Sequence, residues 1–257
     1  MVEMVLLLAL GLLSGAYGVM VGAGGGFVFV PALLLLLKLP PEIAAGTGLV
    51  VVFLNSISGS MNYIRQKRVH FSISWPIIFG SIPGTFIGTW LLGIISPDFF
   101  YWIFAAALFM LGMFLLLKKA PEEAKHSMKA GFFNEGRNRL KAVFLFIIGL
   151  LLGTLSNFFG IGGGWLLVPI LIYLLKIRPH DATAISLFAL SIYSLVGALN
   201  QIALGNVNWT ACLWGGIGVM IGSQLGAILS TKVPGKWILQ MLSFLLIGVS
   251  MKLFLSV

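Results

Sequence analysis

Gly22-Ala23-Gly24-Gly25-Gly26-Phe27-Val28-Phe29-Val30-Pro31 lies inside an apolar run from residue 4 to residue 37. The pattern returns 138 residues later as Gly160-Ile161-Gly162-Gly163-Gly164-Trp165-Leu166-Leu167-Val168-Pro169, inside a run over residues 141–175. In lipid such runs are helical, because every backbone N–H and C=O must be satisfied within the segment. Three successive glycines are poor helix formers. The two motifs therefore predict two interrupted helices, broken at equivalent places. Interruptions at membrane depth are tolerated where they are buried in protein or line a cavity, and transporters build substrate sites from them.

The remaining apolar segments are residues 43–64, 71–95, 99–117, 182–204, 209–230 and 236–256. With ~20 residues per span, the chain reads as an all-α polytopic membrane protein with two homologous halves of four segments. Each half opens with a helix broken at its glycine motif. Of its 257 residues 59% are hydrophobic and 9% charged, where soluble domains carry about 25% charge. The first run continues past signal-peptide length without a basic n-region and reads as a membrane segment. The divisions are an N-terminal transmembrane repeat (1–117), a linker (118–140) and a C-terminal transmembrane repeat (141–257). From Lys118 to Lys141, both included, the chain holds seven Lys/Arg, three Glu and His126, so this stretch reads as a solvent loop.

Without gaps, residues 13–90 and 151–228 share 23 identities in 78 positions, among them Pro41/Pro179, Ser56/Ser194, Gly59/Gly197 and Asn62/Asn200. Biased apolar composition does not align prolines and asparagines, so the repeat is real. The triplets Gly80, Gly84, Gly88 and Gly218, Gly222, Gly226 have the small-xxx-small spacing of close helix packing.

Sixteen Lys+Arg against seven Asp+Glu is explained by topology and not by nucleic acid, which is not expected as a partner. If the first segment of each half folds back at its glycines, 14 basic residues lie on one face and two, Lys38 and Lys252, on the other. A single crossing gives 11 against five. The positive-inside rule favours the first count, hence inverted repeats with the linker cytoplasmic and both termini outside.

A helix restarting at Gly24-Gly25-Gly26 begins with unpaired N–H groups near mid-membrane, which attract negative charge. Gly162-Gly163-Gly164 would bring a second such end. All seven acidic residues fall at segment ends or in the linker, which disfavours a cation carrier and a carboxylate-based enzyme. The lone Cys212 makes no metal or disulfide pattern, and neither a metal nor a cofactor is implied. Thr47, Asn55, Asn62, Ser186 and Asn200 supply neutral hydrogen-bonding groups suited to an oxyanion, with Thr47 and Ser186 preferred. Asp181 reads as a helix cap and His180 as the one candidate for coupling flux to protons.

Gly22 to Pro31, Pro41 to Thr47, Gly59 to Asn62 and Val69-His70-Phe71, with their counterparts Gly160 to Pro169, Pro179 to Ser186, Gly197 to Asn200 and Val207-Asn208-Trp209, resemble the sulfite exporter TauE/SafE family. The doubled motif covers nearly the whole chain. The resemblance implies a prokaryotic cytoplasmic-membrane transporter of sulfite or a small organosulfonate. Gly48 departs from the commoner family form, in which Ser follows the Thr. Another small anion such as a carboxylate is the alternative substrate; a non-transporting scaffold would leave the doubled breaks unexplained. Partners are then a small anion and the lipid bilayer, and an oligomer is compatible.

Overall fold

The structure is a computed structural model that describes residues 2–117, 138–230 and 235–255. Most of the linker lies outside the described residues. The first half comprises α1 (Val2–Val21), α2 (Gly26–Leu36), α3 (Pro41–Arg65), α4 (Phe71–Ile94) and α5 (Pro97–Leu117). The second comprises α6 (Asn138–Phe159), α7 (Gly164–Pro169), α8 (Pro179–Ala203), α9 (Trp209–Leu229) and α10 (Gly235–Phe254). A π-helical turn, Ile170–Leu174, extends α7 after Pro169.

Among the described residues, seven helices are long and apolar enough to cross a membrane. Their outer faces carry large exposed apolar side chains such as Trp90, Leu151, Leu213 and Ile228, as contact with lipid requires. The fold is thus the expected all-helical, multi-pass membrane bundle. Helix α6 begins at Asn138, three residues before the expected boundary at 141. Arg139 is exposed in its first turn, where a long side chain can keep its charge in water.

The breaks fall on the glycine motifs. Gly22, Gly24 and Gly25, and Gly160 and Gly162, all have φ between 71° and 80°, the left-handed region that glycine enters without a Cβ penalty. After the first break the chain doubles back on itself. The Ser14 hydroxyl donates to the Gly25 carbonyl at 2.6 Å, and the Tyr17 and Phe27 rings lie 5.9 Å apart. Residues 14 and 25 would be about 16 Å apart along one straight helix. Helix α2 therefore runs back beside α1.

Helices of one half pair mainly with helices of the other. Along the α1/α9 seam, Gly218, Gly222 and Gly226 face the backbone carbonyls of Leu8, Leu12 and Ala16, while Gly11 and Gly15 face those of Gly215 and Val219. The α4/α6 seam repeats this: Gly80, Gly84 and Gly88 face Phe146, Leu150 and Thr154, and Gly149 and Gly153 face Ile77 and Ser81. Any Cβ at these glycines would overlap the facing carbonyl oxygen. Both seams are parallel, since residue numbers rise together on the two sides.

The repeat-equivalent pair α3 and α8 is antiparallel. Gly46 near the start of α3 faces the Asn206 carbonyl just beyond the end of α8, and Gly59 late in α3 packs on Leu187 early in α8. The equivalent pair α5 and α10 also runs antiparallel, with Trp102 against Phe254 and Gly112 against Ser243 and Ile247. One core gathers Phe27, Phe29, Phe100, Phe104, Phe158 and Phe159; a second gathers Val52, Leu187, Leu190 and Tyr193 around α3, α4 and α8.

Candidate functional site

The two glycine loops meet inside the bundle. A Cβ on Gly26 would stand 2.7 Å from the Cα and carbonyl oxygen of Ile161, and one on Gly164 would stand 2.8 Å from the Cα of Ala23. Gly24 and Gly162 face the same two side chains, Val52 and Leu190. These four residues form two repeat-equivalent pairs, so the loops converge about a common point with an apolar stopper from α3 and another from α8.

Polar groups surround that point unevenly. Asn55 is wholly buried, and neither its Nδ2 nor its Oδ1 has a hydrogen-bond partner. Its Nδ2 lies 2.9 Å from where a Cβ on Gly25 would sit, between α1 and the start of α2. The buried Ser56 hydroxyl is also unpartnered and is 3.2 Å from the corresponding point on Gly24. Burying a polar group with no partner costs about 1–3 kcal/mol, so these groups are marked as waiting for one.

In the second half the place of Asn55 is taken by Tyr193, 138 positions on. Tyr193 is fully buried, and its hydroxyl oxygen accepts the Gly163 N–H at 3.1 Å. Gly163 has φ −89° where Gly25 has +75°. The second loop is thus closed on its own phenol, while the first keeps an unspent amide.

Of the residues expected from sequence, the structure brings together Gly24, Gly25, Gly26, Asn55, Gly162, Gly163 and Gly164. Ser186 touches the back of the first loop, its hydroxyl donating to the Gly22 carbonyl at 2.7 Å. This bond joins the halves and satisfies a carbonyl at the end of α1. The equivalent residue, Gly48, has no side chain because a Cβ there would overlap Val30. Thr47 lies elsewhere: its hydroxyl oxygen accepts the Asn208 N–H at 2.9 Å, tying α3 to the start of α9. Asn62 donates to Gln224 Oε1 at 3.0 Å and Asn200 to Thr89 Oγ1 at 3.1 Å, so both join helices.

Asp181 does not cap α8. Its carboxylate pairs with Arg178 Nε at 2.8 Å, and Arg178, the residue preceding the helix, makes no side-chain cap. A nearby guanidinium wins over the backbone amides because the contact is charge-assisted. His180 is exposed beside this pair, at the second residue of α8. Among the described residues no three His, Cys, Asp or Glu gather as a metal site would need.

Val52, Leu190 and Ser14 went unsuspected in the sequence. Nothing separates the first two from neighbouring valines and leucines except that they align with each other at offset 138. Tyr193 opposite Asn55 was visible in the same alignment as a change of residue type.

The sequence of this bundle matches one set of known proteins. Residues 7–253 match the family model described as sulfite exporter TauE/SafE. The chain belongs to the TauE/SafE family. Similar proteins include the probable membrane transporter protein YunE of Bacillus subtilis, 30% identical over 97% of this chain and 96% of that one. The probable membrane transporter protein MJ0441 of Methanocaldococcus jannaschii is 30% identical over 94% of this chain and 91% of its own. A probable membrane transporter protein of Xylella fastidiosa is 28% identical over 87% and 83%. No solved structure matches. The TauE/SafE chain is therefore a multi-pass membrane transporter.

Proposed function

We propose that this protein is a secondary transporter or facilitator, and not an enzyme, moving a small sulfur-containing anion, sulfite or a small organosulfonate, across the cytoplasmic membrane. The observation that carries the reading is the convergence of Gly24–Gly26 and Gly162–Gly164 at one buried place beside the unpartnered Asn55 amide. Helix starts supply N–H donors and a positive dipole end for an oxyanion. A neutral amide binds it without the trapping that a lysine or arginine would cause. Membership of a family described as sulfite exporters supports sulfur oxyanions as the class.

Transport proceeds by alternating access between two inverted halves. The antiparallel course of α3 against its equivalent α8, and of α5 against α10, supports inversion, as does the doubling back of α2 beside α1. The arrangement puts Arg65, Lys67 and Arg68 with the linker in the cytoplasm and Lys38 and Lys252 outside. Movement of Val52 and Leu190 away from the loops opens the site to one side or the other.

Flux of sulfite into proteoliposomes, against sulfoacetate, sulfate and acetate, with and without a pH gradient, tests the reading. Saturable flux of a sulfur oxyanion is expected, and Gly25→Leu and Gly163→Leu should each abolish it. Saturable flux of acetate alone would replace the substrate class with a carboxylate. Wild-type flux in both folded glycine variants would remove the loops from the mechanism.

A further inference from the structure

We infer that the two glycine loops are not equivalent in binding: the anion is held by the first loop, through the Asn55 amide and the opening N–H groups of α2, while Tyr193 occupies the matching position in the second. This rests on the anion-transport reading above and assigns the site within it.

Three observations converge. Asn55 and Tyr193 stand at the same position of the repeat, and both are fully buried against the equivalent glycine, Gly25 or Gly163. The Gly163 N–H already donates to the Tyr193 hydroxyl at 3.1 Å, so a phenol oxygen sits where an oxyanion oxygen would be received. Asn55, by contrast, makes no hydrogen bond through either amide atom. The helices behind the two loops differ in the same sense. Helix α2 runs 11 residues as regular α-helix, enough for aligned peptide dipoles to favour an anion at its start. Helix α7 is regular for only six before it widens into the π-helical turn.

Asn55 Nδ2 is a donor, as are the N–H groups at the start of α2, so together they match the oxygens on one face of a pyramidal or tetrahedral oxyanion. The loop is packed, with the Ser14 hydroxyl on the Gly25 carbonyl. Binding therefore requires the α1/α2 hairpin to part from α3 at this point. Such a site takes one anion per chain, and the internal phenol keeps a second anion from crowding the first.

The test is sulfite titration of the purified full chain by calorimetry, with the melting temperature measured in the same buffer, for wild type, Asn55→Leu, Asn55→Asp and Tyr193→Phe. Wild type should bind one sulfite per chain. Asn55→Leu should weaken sulfite at least tenfold while the ligand-free melting temperature holds or rises, because an unpartnered buried amide has been removed. A side chain with a merely structural bond would lower it. Asn55→Asp sets a carboxylate against the anion and should abolish binding. Tyr193→Phe releases the Gly163 N–H and should bind sulfite within about threefold of wild type. Two sulfites per wild-type chain, or Tyr193→Phe losing binding as severely as the Asn55 variants, would overturn the assignment. Wild-type affinity in a folded Asn55 variant would also overturn it while leaving anion transport standing. Absence of sulfite binding and flux in wild type removes the sulfur-oxyanion reading on which the assignment rests.

Discussion

Ser186 shows how a residue type can be legible in a sequence while the contact it makes is not. A serine early in a membrane helix and next to a glycine motif suits a substrate contact, yet its hydroxyl is spent on the Gly22 carbonyl across the repeat. Ser186→Ala should lower the melting temperature by an amount equivalent to about 1–2 kcal/mol, since the buried carbonyl loses a donor. Sulfite affinity should change less than that of Asn55 variants; a larger loss would put Ser186 back among the ligands. Thr47 and Asn62 were likewise legible as polar groups in an apolar helix. That each joins a helix distant in sequence, α9 in both cases, depends on which helices neighbour one another, and no local pattern states that.

At the level of elements, spacing carried much of the information. Glycines four apart on α4 and α9 announced close backbone approach, and they make it. The partners were not legible: α4 lies against α6 and α9 against α1, pairings set by how the halves assemble. Position within a helix decides the cost of a methyl group. Gly84→Ala places a carbon onto the Leu150 carbonyl and should be strongly destabilising, by several kcal/mol if the seam cannot part. Gly93, in the same helix, has nothing within 4 Å of its would-be Cβ. Gly93→Ala should be neutral or gain up to about 1 kcal/mol from helix propensity. Thermal unfolding in detergent, followed by size-exclusion fluorescence, checks both. Equal effects would mean that propensity and not the seam governs these glycines.

For the molecule as a whole, the repeat predicted doubling and the charge count predicted orientation, while the fold-back that links them is visible only as contacts such as Ser14 with Gly25. On a Cys212→Ala background, cysteines replacing Lys38 or Lys252 should react with an impermeant maleimide on intact cells. One replacing Lys67 should react only after permeabilisation. All three side chains are exposed, so access to reagent reflects the side of the membrane. Labelling of 38 and 252 on opposite sides would refute inversion.

The crossed seams also order the birth of the molecule. Helix α1 leaves the ribosome well before its partner α9, with the other helices of the first half and α6 to α8 made in between. Until then the carbonyls of Leu8, Leu12 and Ala16 lack the glycine ridge of α9 that packs on them. A nascent chain stopped after α5 holds one open seam on α1 and another on α4, and each is the shape the missing half would fill. Two separately translated halves therefore have complementary surfaces by which to find each other in the bilayer, and neither has a finished one alone.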